Sequence, residues 1–142
     1  PYCNKCEMFH FPTFSSAISA IVLNPDKNKV LLIQQYGRKD NILVAGYINK
    51  GENAEQTLVR EIKEETGLNV KDYQYMKSSY YEKTNTLMCN FICVVDSEDL
   101  SQINEEVDKA EWFSFEEALK NIKSKSLAEE FLIYAFKKMN YI

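Results

Sequence analysis

The chain has 142 residues, 17 of them basic and 21 acidic, for a formal net charge of −4. That length suits one domain, and 45% hydrophobic with 13% aromatic residues exclude a disordered chain. No apolar run approaches the roughly 20 residues of a membrane span, and mild acidity argues against bulk binding to nucleic acid or anionic lipid. In chain order, Cys3-Asn-Lys-Cys6 comes first, with the spacing of half a zinc site. His10 is available as a third ligand and no fourth lies nearby. Residues 16–23 read as a strand, and 29–36 as its antiparallel partner across the turn Asn24-Pro25-Asp26. Residues 42–45 form a short strand before a glycine-bounded loop, 46–51. A helix is expected over 53–66: Asn53 caps it, Gln56 completes a capping box and Gly67 stops it. Strands follow at 69–81, 86–95 and 111–115, then amphipathic helices at 116–122 and 127–139. This order predicts an α+β fold with a mixed sheet. Cys89 and Cys93 lie in an apolar run and read as buried small hydrophobes. No secretory signal is evident, so a reducing, cytoplasmic compartment is expected.

The first helix carries an unusual charge pattern. With about 100° per residue and Leu58 at zero, Ile62, Val59 and Ala54 form an apolar stripe at about 40°, 100° and 320°. Glu65 and Glu61, at about 340° and 300°, fall in or beside that stripe, and Glu64 flanks them at about 240°. Like charges at i, i+4 repel. A solvated acidic face is one reading; a set of hard oxygen ligands for Mg²⁺ or Mn²⁺ is the other.

The surrounding residues favour the second. Residues 46–68 read GYINKGENAEQTLVREIKEETGL. Gly46, Glu52, Arg60, Glu61, Glu64, Glu65 and Gly67 occupy every fixed position of the Nudix box, with Ile62 and Leu68 at its aliphatic ones. Seven fixed residues arise by chance in about 10⁻⁸ to 10⁻⁹ of windows. The sequence therefore resembles the Nudix hydrolases. That resemblance implies an α/β/α sandwich with a loop–helix–loop motif, and hydrolysis of a nucleoside diphosphate linked to another moiety with Mg²⁺ or Mn²⁺. It implies a catalytic set of Glu52, Arg60, Glu61, Glu64 and Glu65. Gly46, Glu61, Glu64 and Glu65 would be the metal-binding positions, joined by Glu106 from the segment leading to Trp112. Arg60, at about 200° on the wheel, is expected to point away from the metal face, and the resemblance implies that it pairs with Glu52.

More weakly, the chain resembles zinc-ribbon-type NADH pyrophosphatases, which carry a C-x-x-C ahead of an aromatic–Pro pair, here Phe11-Pro12. This implies residues 1–13 as a remnant of a zinc-ribbon-like segment, with Cys3 and Cys6 as zinc positions, and residues 14–142 as the hydrolase domain. Phe11 and Tyr47 match the aromatics that sandwich adenine. Ser78, Tyr81 and Met88 match substrate-contacting positions. The signature Ser-Gln-Pro-Trp-Pro-Phe-Pro is here Ser78-Ser-Tyr-Tyr-Glu-Lys-Thr84, without its prolines, so the substrate loop is expected to be loosened or reshaped. NAD(H) or a related dinucleotide is the implied substrate, and a homodimer the implied assembly. A nucleotide sugar, a capped RNA or a non-catalytic nucleotide-binding regulator are the alternatives.

Overall fold

A computed structural model describes residues 2–3, 8–9 and 12–142, with side chains from residue 12 onward. Strands β1 (Tyr2–Cys3) and β2 (Met8–Phe9) pair as a small antiparallel ribbon. The remainder is built on a mixed sheet of β3 (Ser15–Leu23), β4 (Lys29–Gln35), β5 (Val44–Tyr47), β6 (Val70–Tyr81), β7 (Thr86–Val95) and β8 (Val107–Ser114). Its order is β6-β7-β3-β4-β8, with β5 also on β3. Among the described strands, only β3 and β7 pair in parallel.

Alternation along the strands divides the interior into two layers. Ile18, Ala20, Val22, Leu31, Ile33, Phe91 and Cys93 face helix α1 (Ala54–Thr66) and its Leu58 and Ile62. Ile21, Leu23, Val30 and Leu32 face α2 (Phe115–Asn121) and α3 (Leu127–Lys138), where Ala118, Phe131, Leu132, Ala135 and Phe136 are buried. This is the expected α/β/α sandwich. Among the described residues, no helix is long and apolar enough to cross a membrane.

Helix α1 begins and ends where its local chemistry dictates. The Asn53 side chain accepts from the Gln56 amide at 2.8 Å and the Gln56 side chain accepts from the Asn53 amide at 3.0 Å. Gly67 closes the helix at φ 78°, a left-handed conformation that suits glycine. Asn53→Ala is expected to lower stability by about 1 kcal/mol, read from the denaturation midpoint; an unchanged midpoint would show that the cap contributes nothing.

Two local expectations change and a third is narrowed. Strand β5 runs through Gly46 to Tyr47 instead of stopping at residue 45, because Gly46 pairs with Ile18 and Tyr47 with Ala17. Val59 is 44% exposed, whereas Thr57, Leu58, Ile62, Glu65 and Thr66 are buried, so the packed stripe is rotated toward the glutamates. The segment lacking prolines is reshaped rather than loosened: it is a regular hairpin that continues the strands expected at 69–81 and 86–95. Restored N–H donors let Ser78–Tyr81 pair with Thr86–Cys89, and a 3₁₀ turn, Glu82–Thr84, joins the strands.

The sheet also opens in its middle. Strand β4 is registered with β3 only at Leu23↔Val30 and then continues against β8. Farther along, β5 takes the same partner, pairing Val44–Tyr47 with Ala17–Ala20. The gap between these pairings is bridged where Ile42, just ahead of β5, exchanges two hydrogen bonds of 2.9 Å with Ile33 of β4.

Candidate active site

A cleft of about 840 Å³ lies at this gap. On the α1 side it is lined by Gly46, Glu61, Glu64, Glu65 and Glu106, with Gln35 and Tyr36. On the α3 side its lining includes Ser19, Leu43, Met88, Leu127 and Phe131.

Glu65 sits deepest among the carboxylates. It is 8% exposed because its helical position faces the packed stripe. Oε1 accepts from Gln35 Nε2 at 3.3 Å, while Oε2 is buried with no hydrogen-bond partner. Burial, followed by the nearby Glu61 charge, pushes its pKa up to about 7. Burial likewise raises that of Glu61, against the lowering effect of Arg60. Glu61 is seated on Gly46: any Cβ at position 46 would overlap the Glu61 carboxylate. Glycine here therefore serves close approach.

Arg60 does not point away from this face. Its Nε and Nη2 grip Glu52 at 2.6 and 2.9 Å, as the sequence suggests. But Nη1 also reaches Glu61 at 2.8 Å and Glu64 at 3.2 Å, and Nη2 reaches the Tyr47 carbonyl at 3.2 Å. A long side chain can cross its own helix surface, which a wheel of Cα directions does not capture. Glu52 is held to a pKa of about 2, chiefly by Arg60, and also accepts from the Asn49 amide and the Thr57 hydroxyl. The guanidinium thus ties the loop before α1 to the helix. It is also the nearest counter-charge for Glu61 and Glu64. Among the described residues, no three Asp, Glu, His or Cys side chains are grouped as a metal site. Arg60 engages two of the glutamates that would compose one. The donor set nonetheless fits a hard divalent cation: carboxylates crowd one wall, and a buried oxygen, Glu65 Oε2, lacks any donor.

Glu106 stands at the rim, just before β8, with its amide held by Asn104 Oδ1 at 2.8 Å. The Tyr36 hydroxyl donates to Glu106 Oε2 at 3.5 Å, and the Glu106 charge raises the Tyr36 phenol pKa. Tyr36 is held at φ 56° where β4 ends. Asn104 also donates its amide N–H to the Glu65 carbonyl at 2.9 Å, fastening the Glu106 loop to the end of α1.

Of the expected substrate positions, Tyr47, Tyr81 and Met88 line the cleft. Ser78 does not. A bulge between Tyr75 and Lys77 shifts β6 by one residue, so that Ser79 opposes Met88 and Ser78 opposes Cys89. Cys6, His10 and Phe11 lie outside the described residues, and Cys3 is described only as backbone in β1. Cys93 is buried and its thiol pKa is pushed up to about 12 by burial; Cys89 is half-buried. Sequence reading missed Gln35, Tyr36, Lys83, Lys123 and Lys125, all on the cleft. They come from three distant places, the end of β4, the Glu82–Thr84 turn and the connection between α2 and α3, and share no local pattern.

A family model described as the NUDIX domain matches residues 13–133. A Vibrio parahaemolyticus protein named NAD-capped RNA hydrolase NudC is 31% identical over 117 residues, covering 81% of this chain and 44% of that protein. A Pseudomonas fluorescens protein of the same name is 25% identical over 141 residues, covering 99% and 51%. The chain spans about half the length of the curated relatives it matches. In fold it is similar to a Nitrosomonas europaea NUDIX hydrolase, with TM-score 0.74, 20% identity and coverage of 89% of this chain and 90% of that one. It is equally similar to the NUDIX domain of Shewanella oneidensis NrtR, solved with ADP ribose, with TM-score 0.74, 19% identity and coverage of 97% and 94%.

Proposed function

The chain belongs to the Nudix family, and on that premise we propose that it is a divalent-cation-dependent pyrophosphohydrolase. Its substrate is a nucleoside diphosphate joined to a second moiety, NAD(H) before others. Water adds to one phosphorus, the bridging P–O bond breaks, and two monophosphates leave; the water proton passes to a carboxylate and then to solvent.

One observation carries this reading: the buried Glu65 carboxylate, with a partnerless oxygen, on a cleft wall shared with Glu61, Glu64 and Glu106. Those four side chains would hold Mg²⁺ or Mn²⁺. When bound, the cation supplies charge neutralisation at the phosphate oxygens and a lower pKa for a bound water. Gly46 keeps the backbone close to Glu61. Gln35 fixes Glu65 Oε1 and leaves Oε2 to act. Arg60 and Glu52 hold the preceding loop against the helix, so the carboxylates are positioned before substrate arrives. Tyr47, Tyr81 and Met88 would contact the organic part of the substrate. In this reading residues 14–142 are the hydrolase domain, and residues 1–13, with Cys3 and Cys6, belong to a zinc-ribbon-like segment.

The relatives' name favours a second form of the same substrate, an RNA whose 5′ end carries NAD. Lys83, Lys123 and Lys125 on the cleft suit a further anionic segment. NADH incubated with the protein and Mg²⁺ is expected to yield AMP and the reduced mononucleotide by mass spectrometry. No turnover of any compound in a diphosphate panel would overturn the hydrolase reading, whereas turnover of another diphosphate alone would overturn the substrate. NAD-capped RNA in the same assay separates the two substrate forms by kcat/KM.

A further inference from the structure

On the α3 side of the cleft, Ser19 forms with the buried Asn90 behind it a polar pair that the hydrolytic reading leaves unused. Ser19 on β3 and Asn90 on β7 stand side by side in the parallel register of these strands. Their neighbours on the same sheet face, Ile21, Met88 and Ile92, are apolar and pack with α3. Asn90 is fully buried. Its Nδ2 donates to the Ser19 carbonyl at 3.2 Å and, more weakly, to Ser19 Oγ at 3.4 Å, while its Oδ1 has no partner. An aliphatic residue would suit this layer without leaving a buried amide oxygen unsatisfied, so packing alone does not account for the asparagine.

Its orientation is nevertheless determined. Exchanging the amide N and O would set Oδ1 against the Ser19 carbonyl, acceptor against acceptor. With Nδ2 directed at Ser19, Oγ is an acceptor toward Asn90 and keeps its own proton to donate. Ser19 lines the cleft, beside the apolar walls of Leu43, Met88, Leu127 and Phe131. An apolar slot with one placed hydroxyl suits a planar ring that carries a hydrogen-bond acceptor.

We infer that Ser19 and Asn90 read the heteroaromatic ring of the ligand: Ser19 Oγ–H donates to a ring-borne acceptor, and Asn90 is the positioning residue behind it. The inference rests on the nucleotide-hydrolase reading above and adds the group that selects the ring. A ring nitrogen of a purine and the carboxamide oxygen of a pyridine nucleotide are both acceptors of the required kind.

The test uses calorimetric binding of AMP, nicotinamide mononucleotide and ribose 5-phosphate to the full chain and to Ser19→Ala, with melting curves as the check on folding. Loss of a neutral hydrogen bond is expected to weaken at least one ring-bearing nucleotide by about three- to tenfold. Ribose 5-phosphate, which has no ring, is expected to bind both proteins equally. On a hydrolysed diphosphate, Ser19→Ala should raise KM by a similar factor and leave kcat unchanged. Asn90→Leu, which restores an apolar layer, should keep or raise the melting temperature yet raise KM with kcat unchanged. Equal binding of all three ligands by the wild type and Ser19→Ala, or an equal loss for ribose 5-phosphate, would overturn the inference. An unaltered KM in Asn90→Leu would overturn the positioning role of Asn90. Failure of the hydrolase reading is separately visible as a wild type that turns over no diphosphate while its ring-dependent binding still responds to Ser19.

Discussion

Glu65→Gln is expected to lower kcat by about 10²- to 10⁴-fold, the range associated with loss of a positioned acid–base group, while making the metal-free protein more stable at pH 8. The two effects share a cause. Glu65 is buried beside like charges, with one oxygen unpartnered, and its pKa rises from the ordinary 4.5 to about 7. Between those values the folded chain holds a proton that the unfolded chain has released. Stability from this group is therefore greatest below pH 4.5 and is lost as pH rises toward 7. The shift corresponds to about 3 kcal/mol, or a melting temperature lower by about 5–10 °C in a chain of this size. Glutamine carries no charge and removes that slope. The measurement is a pair of melting curves at pH 5 and pH 8, with and without Mg²⁺. Wild type should regain stability with Mg²⁺ at pH 8 and gain little at pH 5, where protons compete for the carboxylate; Glu65→Gln should respond weakly at both. A variant that melts below wild type at pH 8 without metal would contradict the account of Glu65 as a stored electrostatic cost.

Gly46→Ala is expected to reduce kcat/KM by about 10²-fold, the scale of a misplacement of about 1 Å at a reacting centre. A methyl group at this position occupies the space of the Glu61 carboxylate. Strand β5 is held by four successive pairings with β3, so the side chain yields more readily than the backbone. Glu61 would then move from the seat shared with Arg60 Nη1. Steady-state kinetics with Mg²⁺ titration measures the result: a lower maximal rate and a higher Mg²⁺ requirement. Retention of wild-type values for both would show that Glu61 does not act from its observed position.

Features specified by near neighbours along the chain are legible in the amino-acid sequence. Asn53, Gln56 and Gly67 bound α1 through short-range hydrogen bonds and one left-handed residue. Glu61 and Glu65 fall at the edge of an apolar stripe because helical spacing alone puts them there. Features that depend on a long side chain or on strand register are not legible in this way. Arg60 crosses its helix to reach Glu61 and Glu64, and Val59 loses its expected burial because the helix is rotated on the sheet. Matching positions along a motif directs Ser78 toward substrate, yet one inserted residue at the Tyr75/Lys77 bulge turns it to the opposite face. Ser19 and Asn90 are 71 residues apart and meet only through parallel pairing, which a single sequence does not reveal.

The opening between β4 and β5 has a consequence for how such a protein can diversify. The glutamates belong to the layer under α1, while the apolar slot belongs to the layer under α3, and the sheet stands between them. Substitutions on α3 or on the slot-facing positions of β3 and β7 leave the packing of Leu58 and Ile62 untouched. The cutting chemistry and the choice of compound can therefore drift under separate selection, each layer absorbing mutations that the other does not feel. In that division, a lineage could acquire new substrates by altering one helix while inheriting its carboxylates unchanged.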